Sequence, residues 1–437
     1  MKTPVNPLSP SDSAELELGG RAPPSSDALS AAALNNSMTY AERRATTCLT
    51  FLFGSRMLGL FLILPVFALH AKGMPGGQDA TLVGLAMGIY GLTQGMLQIP
   101  FGMASDRFGR RKVIVIGLLI FALGSVVAAL ADSLLGVTAG RAIQGAGAIS
   151  AAVTALLADS TRDSQRTKAM AAIGSMIGLM FAVSLVGAPL LYQWIGMPGL
   201  FYLMAGLALV GIAIVFQVPE AGAQAALAST DGLPRSMSSD LLATLRDLDL
   251  MRLNFGIFVL HAVQMAMFIV VPLWLVDLGG LSLPNHWKVY LPVVLGSFVF
   301  MAPIVMYAER RGMMKLAFVG SIALIALVEA GLAFQPDGLM QMALLLLLFF
   351  IGFNVLEASL PSLVSKLAPP QAKGAALGVY NTVQALGLFV GAGMGGWLYQ
   401  RVGGHAVFWV CAGAMALWCL VAMSQKRWKA VPLRVSA

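Results

Sequence analysis

Residues 100–112 read Pro100-Phe-Gly102-Met-Ala-Ser-Asp106-Arg107-Phe-Gly109-Arg110-Arg111-Lys112, and residues 303–315 read Pro303-Ile-Val-Met-Tyr-Ala-Glu309-Arg-Arg-Gly-Met-Met-Lys315. A shift of 203 residues lays one over the other, with five of thirteen positions identical and Asp106 meeting Glu309. Each is a short charged loop caught between long apolar runs. Its recurrence at the corresponding place of two halves marks an internal repeat. In transporters built from such repeats, the substrate site lies between the halves near the bilayer midplane.

Outward from the first loop, apolar segments occupy about 46–71, 81–103, 112–132, 135–158, 169–191 and 198–218. Six more follow at about 253–276, 287–307, 315–335, 339–363, 375–398 and 405–424. Each is long enough to cross a bilayer with some tilt. The 437 residues are 58% hydrophobic and 11% charged, with a mean hydropathy of +0.81. A soluble domain carries roughly 25% charged residues, so an ordinary globular enzyme is excluded. The expected fold is an all-α polytopic membrane protein, twelve transmembrane helices in two pseudo-symmetric six-helix bundles. The bundles are 46–218 and 253–424. Residues 1–45 read as a disordered cytoplasmic tail, 219–252 as a cytoplasmic linker and 425–437 as a cytoplasmic C-terminal tail. Within the linker, Ser239-Asp240 followed by an amphipathic pattern predicts a short helix on the membrane face.

Basic residues resist translocation, and their distribution sets the orientation. With the N-terminus inside, 23 of the 28 Lys and Arg fall on the cytoplasmic side, and Lys72, Lys288 and Arg401 on the other. Arg56 and Arg141 lie within segments. Both termini are expected in the cytoplasm, and the net charge of +8 needs no nucleic-acid partner. With no signal peptide recognisable at the N-terminus, this topology suits a bacterial inner membrane. Three scattered cysteines and four scattered histidines show no metal-ligand spacing, so no metal and no cofactor is expected. Gly391-Ala-Gly393-Met-Gly395-Gly396 satisfies a dinucleotide pattern literally, but it follows no strand and lies inside an apolar segment. No phosphate-binding GxxxxGK[ST] loop is present in the sequence, so ATP is not expected to power the protein directly.

The loop Gly102-x-x-x-Asp106-Arg107-x-Gly109-Arg110-Arg111-Lys112 resembles the signature of the major facilitator superfamily, and Gly140-Arg141-Ala-Ile-Gln144-Gly145-Ala-Gly147 resembles its fourth-helix motif. The likeness runs from about residue 42 to the end of the twelfth segment. Arg56-Met-Leu-Gly, Ile89-Tyr-Gly-Leu-Thr-Gln, Leu253-Asn-Phe-Gly-Ile, His286-Trp-Lys-Val-Tyr, Phe353-Asn-Val-Leu-Glu357 and Leu360-Pro-Ser-Leu are similar to the YajR branch of proton-linked efflux carriers. Members of that branch carry a small soluble domain after the twelfth segment; this sequence runs to Ala437 and no function of such a domain is carried over. The antiporter-associated Gly-Pro of the fifth segment reads Gly187-Ala188-Pro189 here, a departure that weakens the implied direction.

The resemblance implies that Asp106 latches the two halves by facing the start of the eleventh segment near Lys373-Gly374, and that Arg110 pairs with Asp159. A carboxylate attracted to a helix N-terminus gives that latch its physical basis. It also implies that the first, fourth, seventh and tenth segments line the central cavity. Intramembrane arginines are functional by default unless they anchor structure, which makes Arg56 and Arg141 candidates for lining or gating it. A structural ion pair or an anchor to backbone carbonyls is the alternative for both. Buried carboxylates hold protons well enough to exchange them as access alternates. Glu357, beside Asn354 on the tenth segment, is the first candidate for proton coupling, and Glu329 on the ninth the second. His261 and Gln264 share a face at three-residue spacing. Gln94, Gln98, Gln144, Tyr380, Asn381 and Gln384 are further polar candidates for substrate contact or for bridging helices. Gly174 and Gly178, and Gly387, Gly391 and Gly395, predict faces of close helix approach.

The reading is a monomeric secondary transporter in the lipid bilayer, not an enzyme. It is expected to export small lipophilic or cationic compounds by proton-coupled alternating access; direction and substrate class follow from the resemblance. A proton-coupled uptake symporter for a small metabolite is the nearest alternative, and a channel one of a different class.

Overall fold

With no water in the bilayer core, backbone polar groups must pair within the chain, which favours helices. In the computed structural model the described residues are 37–218, 244–369 and 373–425, and every regular element among them is helical. The first half holds α1 (Tyr40–Phe61), α2 (Phe67–Ala71), α3 (Ala80–Phe108), α4 (Arg110–Ala129), α5 (Leu134–Ala146), α6 (Ser150–Asp159) and α7 (Asp163–Gln217). The second holds α8 (Leu248–Asp277), a 3₁₀ turn (Leu283–Asn285), α9 (Trp287–Arg310), α10 (Met314–Ala333), α11 (Leu339–Leu367), α12 (Lys373–Arg401) and α13 (Gly404–Met423). Ten helical stretches among the described residues are long and apolar enough to cross a membrane. One of them, Lys168–Gln217, is two rods joined at Gly196, whose φ of 64° and ψ of −173° break the helix. The broken pair α1–α2 supplies a further rod, and counted this way the rods among the described residues number twelve.

The breaks depart from the expected uninterrupted segments. The first segment turns at residues 62–66, around Pro65, between α1 and α2. The fourth opens at Gly147-Ala148-Ile149, between α5 and α6. An open turn inside a membrane bundle frees a carbonyl that needs a partner. Arg56 supplies it, with Nη2 donating to Gly147 O at 3.4 Å. Of the linker helix expected from Ser239, residues 239–243 lie outside the described residues and 244–246 are helical. The seventh segment begins at Leu248, five residues before the expected 253, because Asp247 caps it: Oδ1 accepts from the backbone N of Asp249 at 2.9 Å and of Leu250 at 3.3 Å.

The halves approach most closely along α3 and α12. A Cβ at Gly88 would sit 2.9 Å from Phe389 O, and one at Gly91 2.5 Å from Ala385 O. Gly84 abuts Ala392 O and Gly396 in the same way. At the rim beyond, Ala80 N donates to Gln400 Oε1 at 2.8 Å. The glycines at 387, 391 and 395 turn to the other side, where they seat α12 on α8 at Phe258, Ala262 and Ala266 within one half. Small side chains on two faces let α12 contact both neighbours at backbone distance. Toward the opposite rim, which carries the basic loops, Gly374 and Gly378 meet nothing within 4 Å of a built Cβ. The expected close face at Gly174 and Gly178 of α7 is likewise open. The halves are thus packed together along α3 and α12 at the far rim.

Candidate functional site

At the basic rim Gly109 (φ 96°) makes the turn from α3 to α4, a conformation that favours glycine, while a Cβ at Gly102 would sit 3.5 Å from Ala151 Cβ. Arg110 bridges two acids: Nη1 meets Asp106 Oδ1 and also donates to Ser105 Oγ at 2.8 Å, and Nε donates to Asp159 Oδ2 at 3.0 Å. Arg107 stacks over the Phe108 ring at 5.4 Å, and Arg111 donates to Val218 O at the end of α7. Lys315, the repeat partner of Lys112, donates to Met423 O at the end of α13 at 3.1 Å. Basic groups thus satisfy helix C-terminal carbonyls in both halves. Glu42 is buried and accepts from Arg162 N at 2.9 Å, Nε at 2.8 Å and Nη2 at 2.9 Å, bonds that push the Arg162 guanidinium's pKa up. Asp106 stays half-exposed. Residues 370–372, just before α12, lie outside the described residues, as does the Lys373 side chain, and the expected facing of Asp106 and Lys373-Gly374 falls there.

Deeper in the first half, Arg56 and Arg141 flank one aromatic ring. Their guanidiniums lie 5.9 and 4.9 Å from the centroid of Tyr90. Arg56 Nη1 donates to Ser150 Oγ at 2.6 Å. Arg141 Nη1 donates to Gln144 Oε1 at 3.1 Å and Nη2 to Met87 O at 3.3 Å, and Gln144 Nε2 passes the chain on to Ser125 Oγ at 2.7 Å. Both arginines are buried and both tie helices of one half together; neither lines the central cavity described next. Tyr90 went unnoticed as a site residue, although it lies in the quoted Ile89-Tyr-Gly-Leu-Thr-Gln segment.

Between the halves lies a cavity of about 80 Å³. Its first-half wall is Phe53, Met57, Leu60 and Phe61 of α1, Ile177, Gly178 and Phe181 of α7, with Gln94 and Ser150 as the polar exceptions. Its second-half wall is polar: His261 and Gln264 of α8, Asn354 and Glu357 of α11, Asn381 and Gln384 of α12, beside Phe353, Ala385 and Leu388. Phe181 carries the aromatic contact across, 5.1 Å from Phe61 and 5.7 and 6.0 Å from Phe350 and Phe353. Glu357 is the one acid among these lining residues. Its Oε2 is buried, has no hydrogen-bond partner and lies 3.8 Å from His261 Nε2. His261 in turn is held at Nδ1 by Ile257 O (3.2 Å) and at Nε2 by Gln384 Nε2 (2.7 Å). Asn354 Nδ2 donates to Ser297 Oγ at 2.9 Å. Oε1 of Gln94 on one wall and of Gln264 on the other are buried without hydrogen-bond partners.

Tyr380 stands behind this lining with its hydroxyl buried and unpartnered. Glu329 is 0% exposed on α10, both carboxylate oxygens without partners, and it does not reach the cavity. The two halves therefore contribute unequally: cations locked inside the first, a carboxylate open to the cavity from the second.

The family model described as Major Facilitator Superfamily matches residues 45–392. The chain is 44% identical over 389 residues to the inner membrane transport protein YajR of Escherichia coli K12, covering 89% of this chain and 85% of that protein. It is 26% identical over 352 residues to the multidrug resistance protein MdtH of Aeromonas hydrophila, covering 79% and 85%. The crystal structure of the human organic anion transporter MFSD10 shares the fold at a TM-score of 0.65 and 20% identity, covering 87% of this chain and 99% of that one. Motif, fold and relatives agree: the chain belongs to the Major Facilitator Superfamily, as a multi-pass membrane transporter of the YajR type.

Proposed function

We propose that this transporter exports small lipophilic or cationic compounds in exchange for protons, with Glu357 carrying the proton. The carrying observation is the two-sided cavity. One wall offers phenylalanine, leucine and methionine, and the other offers a carboxylate with a free buried oxygen, Glu357 Oε2. Unpaired acceptors at Gln94, Gln264 and Glu357 favour ligands rich in donors, such as protonated amines. A proton and a cation compete for the same carboxylate, which is the requirement for exchange. The multidrug label of the MdtH relatives supports the direction.

The two halves rock about this cavity. The basic rim faces the cytoplasm, with both termini, in the inner membrane of a bacterium, so the α3–α12 contact described above closes the side away from the cytoplasm. The transporter works as a monomer in the bilayer, draws on the proton motive force and needs no cofactor.

The test is ethidium efflux from proteoliposomes of known orientation under an imposed pH gradient. Gradient-dependent efflux that falls sharply in Glu357→Gln is expected. Gradient-driven efflux that survives intact in that variant overturns the assignment, and no gradient-dependent ethidium flux in the unaltered protein overturns the export reading for cationic dyes.

A further inference from the structure

His261 lies in a ring of partners that fixes where its hydrogen sits. Ile257 O can only accept, so Nδ1, 3.2 Å away, must donate. In the neutral ring Nε2 is then bare and needs a donor, and Gln384 Nε2 supplies it at 2.7 Å. This network admits one amide orientation. If Nε2 takes up a proton, it faces an NH₂ group at hydrogen-bond distance, two donors with no acceptor between them. The amide must then rotate to present Oε1, or leave.

Glu357 makes this consequential. Its Oε2 is 3.8 Å from the same Nε2, without a hydrogen-bond partner of its own. The other titratable neighbour is Tyr380, on α12 with Gln384, its hydroxyl unpartnered. From the first half the cavity wall brings no charged side chain, since Arg56 is bonded to Ser150 and Gly147. From α13, Trp418 packs on Gly256 of α8, and His405 is bonded through Nδ1 to Ala333 O.

We infer that Gln384 is a positioning residue that gates proton transfer between Glu357 and His261: its amide occupies Nε2 and must turn before that nitrogen can receive the proton of Glu357. In the step, the proton leaves Oε2 of the carboxylic acid and is taken by the Nε2 lone pair. A carboxylate and an imidazolium remain, with no change in net charge. The turned amide moves its NH₂ to the place Oε1 held, and the donor pattern shown to a substrate changes with it. This rests on the reading of Glu357 as the proton carrier.

The test needs no substrate. Full-length protein labelled with ¹⁵N-histidine, in lipid nanodiscs, is followed by NMR across pH, with His261→Asn assigning the resonance among the four histidines. The expected neutral form carries its hydrogen on Nδ1 and accepts at Nε2. Gln384→Leu is expected to keep that tautomer while the Nε2 resonance moves to that of an acceptor without a donor. Gln384→Glu, which offers only acceptors when ionised, is expected to extend the imidazolium form upward by about one pH unit or more, the scale of a close carboxylate–imidazolium pair. Unchanged resonances of His70, His286 and His405 show that the variants fold. A neutral wild-type ring protonated at Nε2 overturns the proposal, as does a Gln384→Glu titration that coincides with the wild type. The ethidium assay on Glu357→Gln tests the carrier reading separately, because the ring's tautomer and its response to Gln384 are read without any flux.

Discussion

Glu357 Oε2 and His261 Nε2 stand 3.8 Å apart across the α8–α11 contact, close enough to act on one another and too far to share a hydrogen bond as they stand. Residues so placed are energetically coupled, and their substitutions do not add. Glu357→Gln and His261→Gln are each expected to depress pH-gradient-driven ethidium efflux. The double variant is expected to lose little more than Glu357→Gln alone. Strictly multiplicative losses in the double-mutant cycle refute the coupling.

Glu329 provides the contrast. It is buried as completely as any group in the protein, yet it lies on α10 away from the cavity lining. Burial alone does not let an acid exchange protons with alternating sides of a membrane; access does. Glu329→Gln is expected to leave gradient-driven efflux within about twofold of wild type, roughly 0.4 kcal/mol. Loss of coupling in this variant, measured at matched protein density, moves the proton site away from the cavity.

The arginines are expected to act on stability first. Arg56→Ala removes the partner of Gly147 O at the α5–α6 break and of Ser150 Oγ. Leaving a buried carbonyl unpaired costs about 1–3 kcal/mol. Lower thermal stability in detergent, with drug selectivity unchanged in the protein that remains folded, is the expected result. Arg56→Lys is expected to rescue it only in part, since an ammonium lacks the planar fork that reaches two acceptors. A selectivity change at full stability places Arg56 in the substrate path instead.

The repeat, the apolar segments and the acid at 357 were legible in the sequence because each is a local signal: a motif, a run of apolar residues, a charge where charge is expensive. What was not legible is pairing at long range. Arg56 finds Ser150 ninety-four residues on, and nothing near residue 56 announces it. The break at Gly147 has no proline to mark it. Gly387, Gly391 and Gly395 of α12 form the close face that their spacing predicts, against α8, whereas the second set, Ala385, Ala392 and Gly396 toward α3, shows only in the contacts. Gly174 and Gly178 show the converse: the spacing is right for close approach, and no helix has come to meet it.

Asp106 shares Arg110 with Asp159, so the three side chains form one charged unit on the first half. The second half has Glu309 in place of Asp106 but Met313 in place of Arg110, and cannot build the same unit. Half-exposed ion pairs contribute little to stability, so Asp106→Asn is expected to leave the folded protein intact and to act on the exchange between access states. The expected outcome is ethidium binding within about twofold of wild type, with efflux reduced at least about tenfold, roughly 1.4 kcal/mol on the transport cycle. A parallel loss of binding points to damage at the cavity instead.

The far rim offers the most direct check on the access state. The backbone of Gly84 lies against Gly396, with a built Cβ at Gly84 3.2 Å from the Gly396 Cα. Residues this close on opposite halves must separate if the far side is to open. Replacing Gly84 by leucine crowds Ala392 O and the Gly396 backbone, and is expected to shift the population toward the arrangement in which the far rim is parted. Small-residue contacts tolerate no side chain of that size without moving a helix. The measurement, with Cys48, Cys411 and Cys419 replaced by serine, is accessibility of a single cysteine at Gln94 in the cavity to a membrane-impermeant maleimide added from the far side. Labelling is expected to rise in Gly84→Leu over the otherwise unaltered protein. Equal labelling in the two means that the α3–α12 contact at Gly84 does not hold the far rim closed.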